Sequence, residues 1–136
     1  MNLVPLLTAS GISSQAVSRE LAGLDLDRVE IRPAPGWLTR LWGSTIAAMA
    51  LRTTVYIRPE MLGSDPTGLG PLLVHELVHV HQWSRLGVVR FLWRYVAGYV
   101  KGRAAGLSHQ DAYRAIPIEI EARAIATKLQ GPIGSV

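Results

Sequence analysis

Cysteine is absent from this chain of 136 residues, phenylalanine occurs once and histidine only four times. Without thiols there are no disulfides and no thiolate metal sites, so any strong transition-metal site must be built from imidazole and carboxylate. Charge is sparse as well: 18% of residues are Asp, Glu, Lys or Arg, against 49% hydrophobic content. That balance excludes a disordered polyelectrolyte and predicts one globular domain over residues 1–136 with a single core. The amino terminus, Met1 to Leu7, has no early Lys or Arg ahead of its short apolar stretch. No secretory signal is read there, and a cytoplasmic location is expected. No repeat or low-complexity tract occurs, and nothing in the sequence fixes the oligomeric state. Net charge is +4 and the pI is near 10.0, which eases contact with acidic surfaces. Nucleic acid is nevertheless not an expected partner. No glycine-rich phosphate loop follows a strand, and no strand interleaves basic and aromatic residues.

Two of the four histidines lie in the pentapeptide His75-Glu76-Leu77-Val78-His79. On a helix, residues four apart stack on one face, so both imidazoles can share a metal ion. Glu76 lies about 100° round from His75, beside the ion rather than on it, where a carboxylate can take a proton from a metal-activated water. The surrounding run from Leu72 to Trp83 contains neither Gly nor Pro, and Gly68, Gly70 and Pro71 mark its start. On this helix Leu73, Leu77, Val80 and Ser84 fall on one side and His75, His79 and Gln82 on the other, so the ligand candidates occupy a polar stripe. The arrangement points to a zinc hydrolase.

A catalytic zinc takes three protein ligands and leaves one position open. A third histidine six residues beyond His79 is excluded, because Arg85 stands there and Gln82 stands where the spacing requires glycine. The alternative is a glutamate from a second helix. Glu119 and Glu121 are both on offer in the segment Ile116 to Ala124, and Pro117 suits the first turn of that helix.

Elsewhere, Ser13 and Ser14 can cap a helix running to Leu21 or Ala22. Asp27 to Arg32 reads as a strand stopped by the Pro33-Ala34-Pro35-Gly36 run. Thr45 to Leu51 and Thr53 to Arg58 read as two extended segments joined at Arg52, followed by a Gly/Pro-rich connection over Met61 to Gly70. Between the two ligand-bearing segments, Arg85 to Gly106 is apolar, aromatic and studded with cations. Its longest uncharged stretch, Tyr95 to Val100, is far short of the ~20 residues that cross a bilayer. On a helix Arg90, Arg94 and Lys101 share one face and Val89, Trp93, Val96 and Val100 another. The expectation is a core-packing helix with a solvated basic edge; peripheral contact with acidic headgroups or a partner protein is the other option. His81 faces away from His75 and His79 and reads as a surface or packing residue. His109 follows Ser108 at a helix start, and the tail from Gly131 is expected to fray.

The elements Ala48 to Leu51, Thr54 to Pro59, Leu73 to Gln82 and Pro117 to Arg123 resemble the small bacterial zincin-like metallopeptidase domains, minimal relatives of the gluzincins. The likeness spans about residues 28–130, which leaves 1–26 as an N-terminal helical extension. It implies an α+β, minimal zincin-like fold: a small, mostly antiparallel sheet packed on the metal-binding helix and on a second ligand-bearing helix. The gluzincin pattern Glu-x-x-Ala-Asp implies Glu119 as third ligand, with Ala122 matching and Glu121 as the alternative. Arg123 departs from that pattern, standing where an aspartate supports a ligand histidine. The resemblance also implies that Thr53 to Arg58 is a sheet-edge strand above the metal, able to bind extended peptide.

The expected activity is zinc-dependent peptide hydrolysis on a protein or peptide substrate, with Glu76 as general base. Tyr113, His109 and Arg114 are candidate oxyanion donors, with Tyr95 and Tyr99 behind them. The competing expectation is a catalytically silent, zinc-stabilised scaffold whose basic aromatic helix meets a protein or membrane surface.

Overall fold

Ser13 stops the first loop by accepting the amide of Ala16 on its hydroxyl at 3.2 Å, the cap that starts a helix over Ser14–Glu20. In this computed structural model, residues 3–44, 46–63 and 66–135 are described, with the side chains of 66, 67 and 130–135 excepted. The elements in chain order are α1 (Leu3–Ala9), α2 (Ser14–Glu20), β1 (Glu30–Pro33), α3 (Gly36–Trp42), β2 (Ala48–Leu51), β3 (Thr54–Ile57), α4 (Pro59–Leu62), α5 (Gly70–Ala104), α6 (His109–Arg114) and α7 (Pro117–Ser135). The fold is α+β, as expected.

The N-terminal helices complete the core. Leu3 and Leu7 of α1, Val17 of α2 and the following Leu21 share one buried cluster with Ile31, Val55, Ile57, Leu73 and Leu77. The strand expected from Asp27 begins only at Glu30. The Asp25 carboxylate caps a 3₁₀ turn over Leu26–Arg28 by accepting from the amide of Asp27, and this holds residues 26–28 out of the ladder.

The sheet has the order β1-β3-β2. β2 and β3 form an antiparallel hairpin, with Ala50 opposite Val55, whereas β1 runs parallel to β3, with Ile31 opposite Val55. The sheet is therefore mixed rather than mostly antiparallel. The tight turn at Arg52, which takes φ 59°, sets β3 against β2, and β1 pairs with the other edge of β3. Consequently the strand expected at the edge, Thr53 to Arg58, is the central one. The free edge beside α5 belongs to β2. Within the connection over Met61 to Gly70, α4 and a 3₁₀ turn at Pro66–Leu69 supply local structure.

The first half of α5 is buried nearly all round. Leu73, Leu77 and Val80 meet the sheet; on the polar stripe His79 and Gln82 are buried and His75 is half-buried, with Glu76 buried beside them, and only Ser84 on the expected apolar side is exposed. At Gly87 the helix breaks, with φ 80° and ψ 166°, a conformation that costs glycine little and other residues much. The kink turns Phe91 back to stack on Trp83, with ring centroids 3.9 Å apart.

Beyond the kink the orientation differs from expectation. Val89, Trp93, Val96 and Val100 face solvent. The face that packs carries Phe91, Gly98 and Gly102. A Cβ on Gly102 would lie 3.0 Å from Cα of Ala112, and one on Gly98 would lie 3.0 Å from the Pro117 ring. The two glycines let α5 press its backbone onto α6 and the start of α7, and this closer approach decides which face is buried. Ser108 caps α6 by accepting the amide of Asp111 at 3.1 Å. α7 continues through Gly131 to Ser135, beyond the point where fraying was expected. No described helix is long and apolar enough to cross a membrane.

Candidate metal centre

One turn of α5 and the first turn of α7 bring His75, His79 and Glu119 together, their ligand atoms all within 4.8 Å of one another. His75 Nε2 lies 3.2 Å from His79 Nε2 and 3.2 Å from Glu119 Oε2, and His79 Nε2 lies 2.9 Å from Glu119 Oε1. Two ligands bound at ~2.0–2.1 Å in tetrahedral geometry sit about 3.3 Å apart. The donor set thus has the spacing as well as the chemistry that zinc requires.

Charge also asks for a cation at this point. Gln82, one turn beyond His79, donates its amide N–H to the carbonyl of Ile118 and to Glu121 Oε1, both at 3.1 Å. Its own oxygen is left facing His79 Nδ1 at 2.8 Å, and only an Nδ1–H can donate to it. A neutral His79 then directs the lone pair of Nε2 at a carboxylate and at another imidazole nitrogen, and that cluster is held together only by a proton or a metal between them. In the metal-free fold burial works to lower the His79 pKa, but the hydrogen bond and charge of Glu119 and the charge of Glu76 outweigh it and hold the pKa above its ordinary value. For Glu119, burial pushes upward and the two histidines outweigh it, holding its carboxyl down at about 2.

Glu76 sits beside this trio and is not one of its members. It is only 5% exposed, the Ala50 backbone hydrogen-bonds its carboxylate, and its Oε2 has no hydrogen-bond partner. Burial raises its pKa. A buried, half-satisfied carboxylate is costly unless something else uses it. It opens into a cleft of about 210 Å³ lined by Ala48, Met49, Trp83, Phe91, Tyr95 and Tyr113 together with Glu76, His79 and Glu119. The cleft is small against the ~300–1,000 Å³ of typical small-molecule sites. Trp83 stiffens the wall by donating Nε1–H to the carbonyl of Ala50 at 3.0 Å. Both outward backbone groups of Ala50 are thereby occupied. Ala47 accepts from Arg58, the residue after β3, and strand alternation turns the backbone groups of Ala48 toward the free edge.

The other expected residues are placed as follows. Glu121 stays outside the trio and bonds Gln82 and, at 2.8 Å, Arg85. Tyr113 lines the cleft, with its ring edge-on to Tyr95, and Tyr95 reaches toward Glu119 Oε1 at 3.5 Å. Burial pushes the Tyr113 hydroxyl up to about 12, so it is a donor at any ordinary pH. His109 is not brought to the cleft: it is exposed on α6, with Nδ1 2.7 Å from the Tyr99 hydroxyl. Arg114 is exposed, and its carbonyl accepts from Arg123, which pins the α6–α7 joint. His81 packs against the carbonyl of Ala22 at 3.1 Å.

Gln82 and Ala50 are the contributors that sequence alone did not single out. Gln82 stood in view as a polar residue one turn past His79 in an apolar run; nothing local marked Ala50. The outer support of His79 Nδ1 comes from Gln82, while Arg123 bonds the carbonyl of Arg114. No protein-family model matches this chain, and neither does any curated protein or solved structure. The likeness to zincin-like domains therefore stays a resemblance, carried by the pentapeptide and the Glu119 segment.

Proposed function

We propose that the chain is a zinc-dependent peptidase that hydrolyses peptide bonds of a protein or peptide substrate. The observation that carries this reading is the convergence of His75 Nε2, His79 Nε2 and the Glu119 carboxylate beside a buried Glu76 with a free Oε2. When bound there, zinc would supply Lewis acidity, lowering the pKa of a water from ~15.7 toward ~7 and polarising a carbonyl. The remaining work falls to side chains of this protein. Glu76 takes the proton of the attacking water on Oε2 and returns it to the departing amine, a role that its burial-raised pKa favours. Tyr113 offers a neutral O–H at the cleft for the developing oxyanion. The free edge of β2 at Ala48 supplies backbone groups for an extended substrate.

A second reading, a zinc-stabilised scaffold without catalysis, draws support from the depth of the ligands: His79 and Glu119 are 6% and 2% exposed. Glu76→Gln separates the two. Under the peptidase reading, hydrolysis of an unfolded protein substrate falls by about 10²–10⁴-fold while zinc content per chain stays as in the parent. Parent protein that holds zinc and hydrolyses no peptide, whatever occupies position 76, leaves the scaffold reading.

A further inference from the structure

We infer that the part of α5 beyond Gly87 lies in the surface of a membrane rich in acidic lipid, seated through the stripe Val89, Leu92, Trp93, Val96 and Val100. At 100° per residue these five side chains fall within about 60° of one line and extend ~17 Å along the helix. All five are exposed, Val89 by 82% and Trp93 by 73%. The helix itself is firmly held, because Gly98 and Gly102 on its opposite face press against Pro117 and Ala112. The stripe is thus the fixed outer face of a packed helix, and a contiguous apolar face of this kind marks an interaction surface.

The charges select the occupant. Arg90, Arg94 and Lys101 line one flank of the stripe and Arg103 follows its end, and no described carboxylate pairs with any of the four. From residue 77 to residue 110 the sequence has no Asp or Glu at all. A second copy would present the same acid-free helix and leave these cations unanswered. Anionic headgroups answer them, and tryptophan and valine fit the headgroup–acyl boundary beneath. No described helix can cross a membrane, so the contact lies in the plane. Leu92 belongs both to the stripe and to the cleft wall, which sets the candidate metal centre beside the lipid surface. The inference does not depend on the peptidase reading.

The test is co-sedimentation with vesicles of phosphatidylcholine alone and of phosphatidylcholine mixed with phosphatidylserine, run with parent protein and with Glu76→Gln. Both proteins are expected to bind the acidic vesicles and to release as salt rises. Val89→Glu combined with Trp93→Glu, at exposed positions, keeps the parent circular dichroism and weakens binding by about tenfold or more. Replacing Arg90, Arg94 and Lys101 with Gln weakens it by about fivefold for each cation removed. Failure of folded parent protein to bind acidic vesicles overturns the inference, as does equal binding by the Val89/Trp93 variant. Concentration-dependent self-association that the same variant abolishes, with no vesicle binding, overturns it in favour of a second copy.

Discussion

Gln82 Oε1 lies 2.8 Å from His79 Nδ1, one helical turn away, while its amide nitrogen is held by Ile118 and Glu121 of α7. The amide cannot rotate without giving up both of those bonds. It therefore fixes which ring nitrogen of His79 carries hydrogen and aims Nε2 at Glu119. Gln82→Leu keeps the bulk and removes the lock. Zinc affinity is expected to fall by about 10–100-fold, the usual cost of losing such outer support, with little loss of fold. Competition against a chelating dye measures it, and an affinity equal to that of the parent would remove Gln82 from the site.

Glu76 places function against stability. Its carboxylate is buried and Oε2 is unpartnered, and burial raises its pKa above 4.5. A carboxyl raised in the fold lowers stability as pH climbs from the unfolded value through the folded one. Glu76→Gln has nearly the same shape and no charge to desolvate. In metal-free protein near neutral pH its melting temperature is expected to rise by a few degrees, a gain that shrinks toward pH 4. A lower melting temperature across that range would mean that the carboxylate is better satisfied than its surroundings indicate.

The chemistry of the site was more legible in the sequence than its architecture. His75, Glu76 and His79 announce themselves through a spacing of one helical turn, and Glu119 through the proline that starts its helix. Both signals are local, and local signals survive in a single sequence. The position of β3 was not legible, because strand order depends on which edge of the hairpin takes up β1, a relation between distant residues. Nor was the buried face of α5 beyond the kink: apolar side chains line the outer face, and two glycines define the inner one by closeness of approach. Periodicity weighs hydrophobicity and has no measure for how near two backbones can come.

Gly87 is the hinge on which the cleft wall depends. With φ 80° it permits the kink that stacks Phe91 on Trp83, and Trp83 in turn holds Ala50. No neighbouring atom lies within 4 Å of a Cβ built there, so the cost of Gly87→Ala is one of backbone conformation alone. An alanine held at positive φ with ψ 166°, a region essentially confined to glycine, costs about 1–3 kcal/mol. Chemical denaturation should show a loss of that size, accompanied by a change in near-UV dichroism from the Trp83–Phe91 pair. An unchanged midpoint would show that α5 reaches the same path without a glycine at this position.

The pH dependence of metal binding follows from the proton that His79 holds in the metal-free fold. Its pKa lies above 6.5, because Glu119 and Glu76 outweigh the effect of burial, and that of Glu119 is held down at about 2 from 4.5. The raised histidine contributes stability that is complete below 6.5 and lost as pH rises through its folded pKa. The depressed carboxylate contributes stability that is complete above 4.5 and lost as pH falls toward about 2. Metal-free protein should therefore gain most from this pair between those two unfolded values and weaken as pH rises above 6.5. Zinc acts in the opposite sense, because a proton must leave His79 before Nε2 can coordinate, and apparent affinity rises over the same interval. The gap in melting temperature between zinc-loaded and chelated protein should accordingly widen as pH rises above 6.5, with close to one proton released per zinc bound in calorimetry across buffers of different ionisation enthalpy. A gap that stays constant, or binding without proton release, would show that His79 is already neutral in the metal-free fold, and the charge argument for a cation at this site would lose its basis.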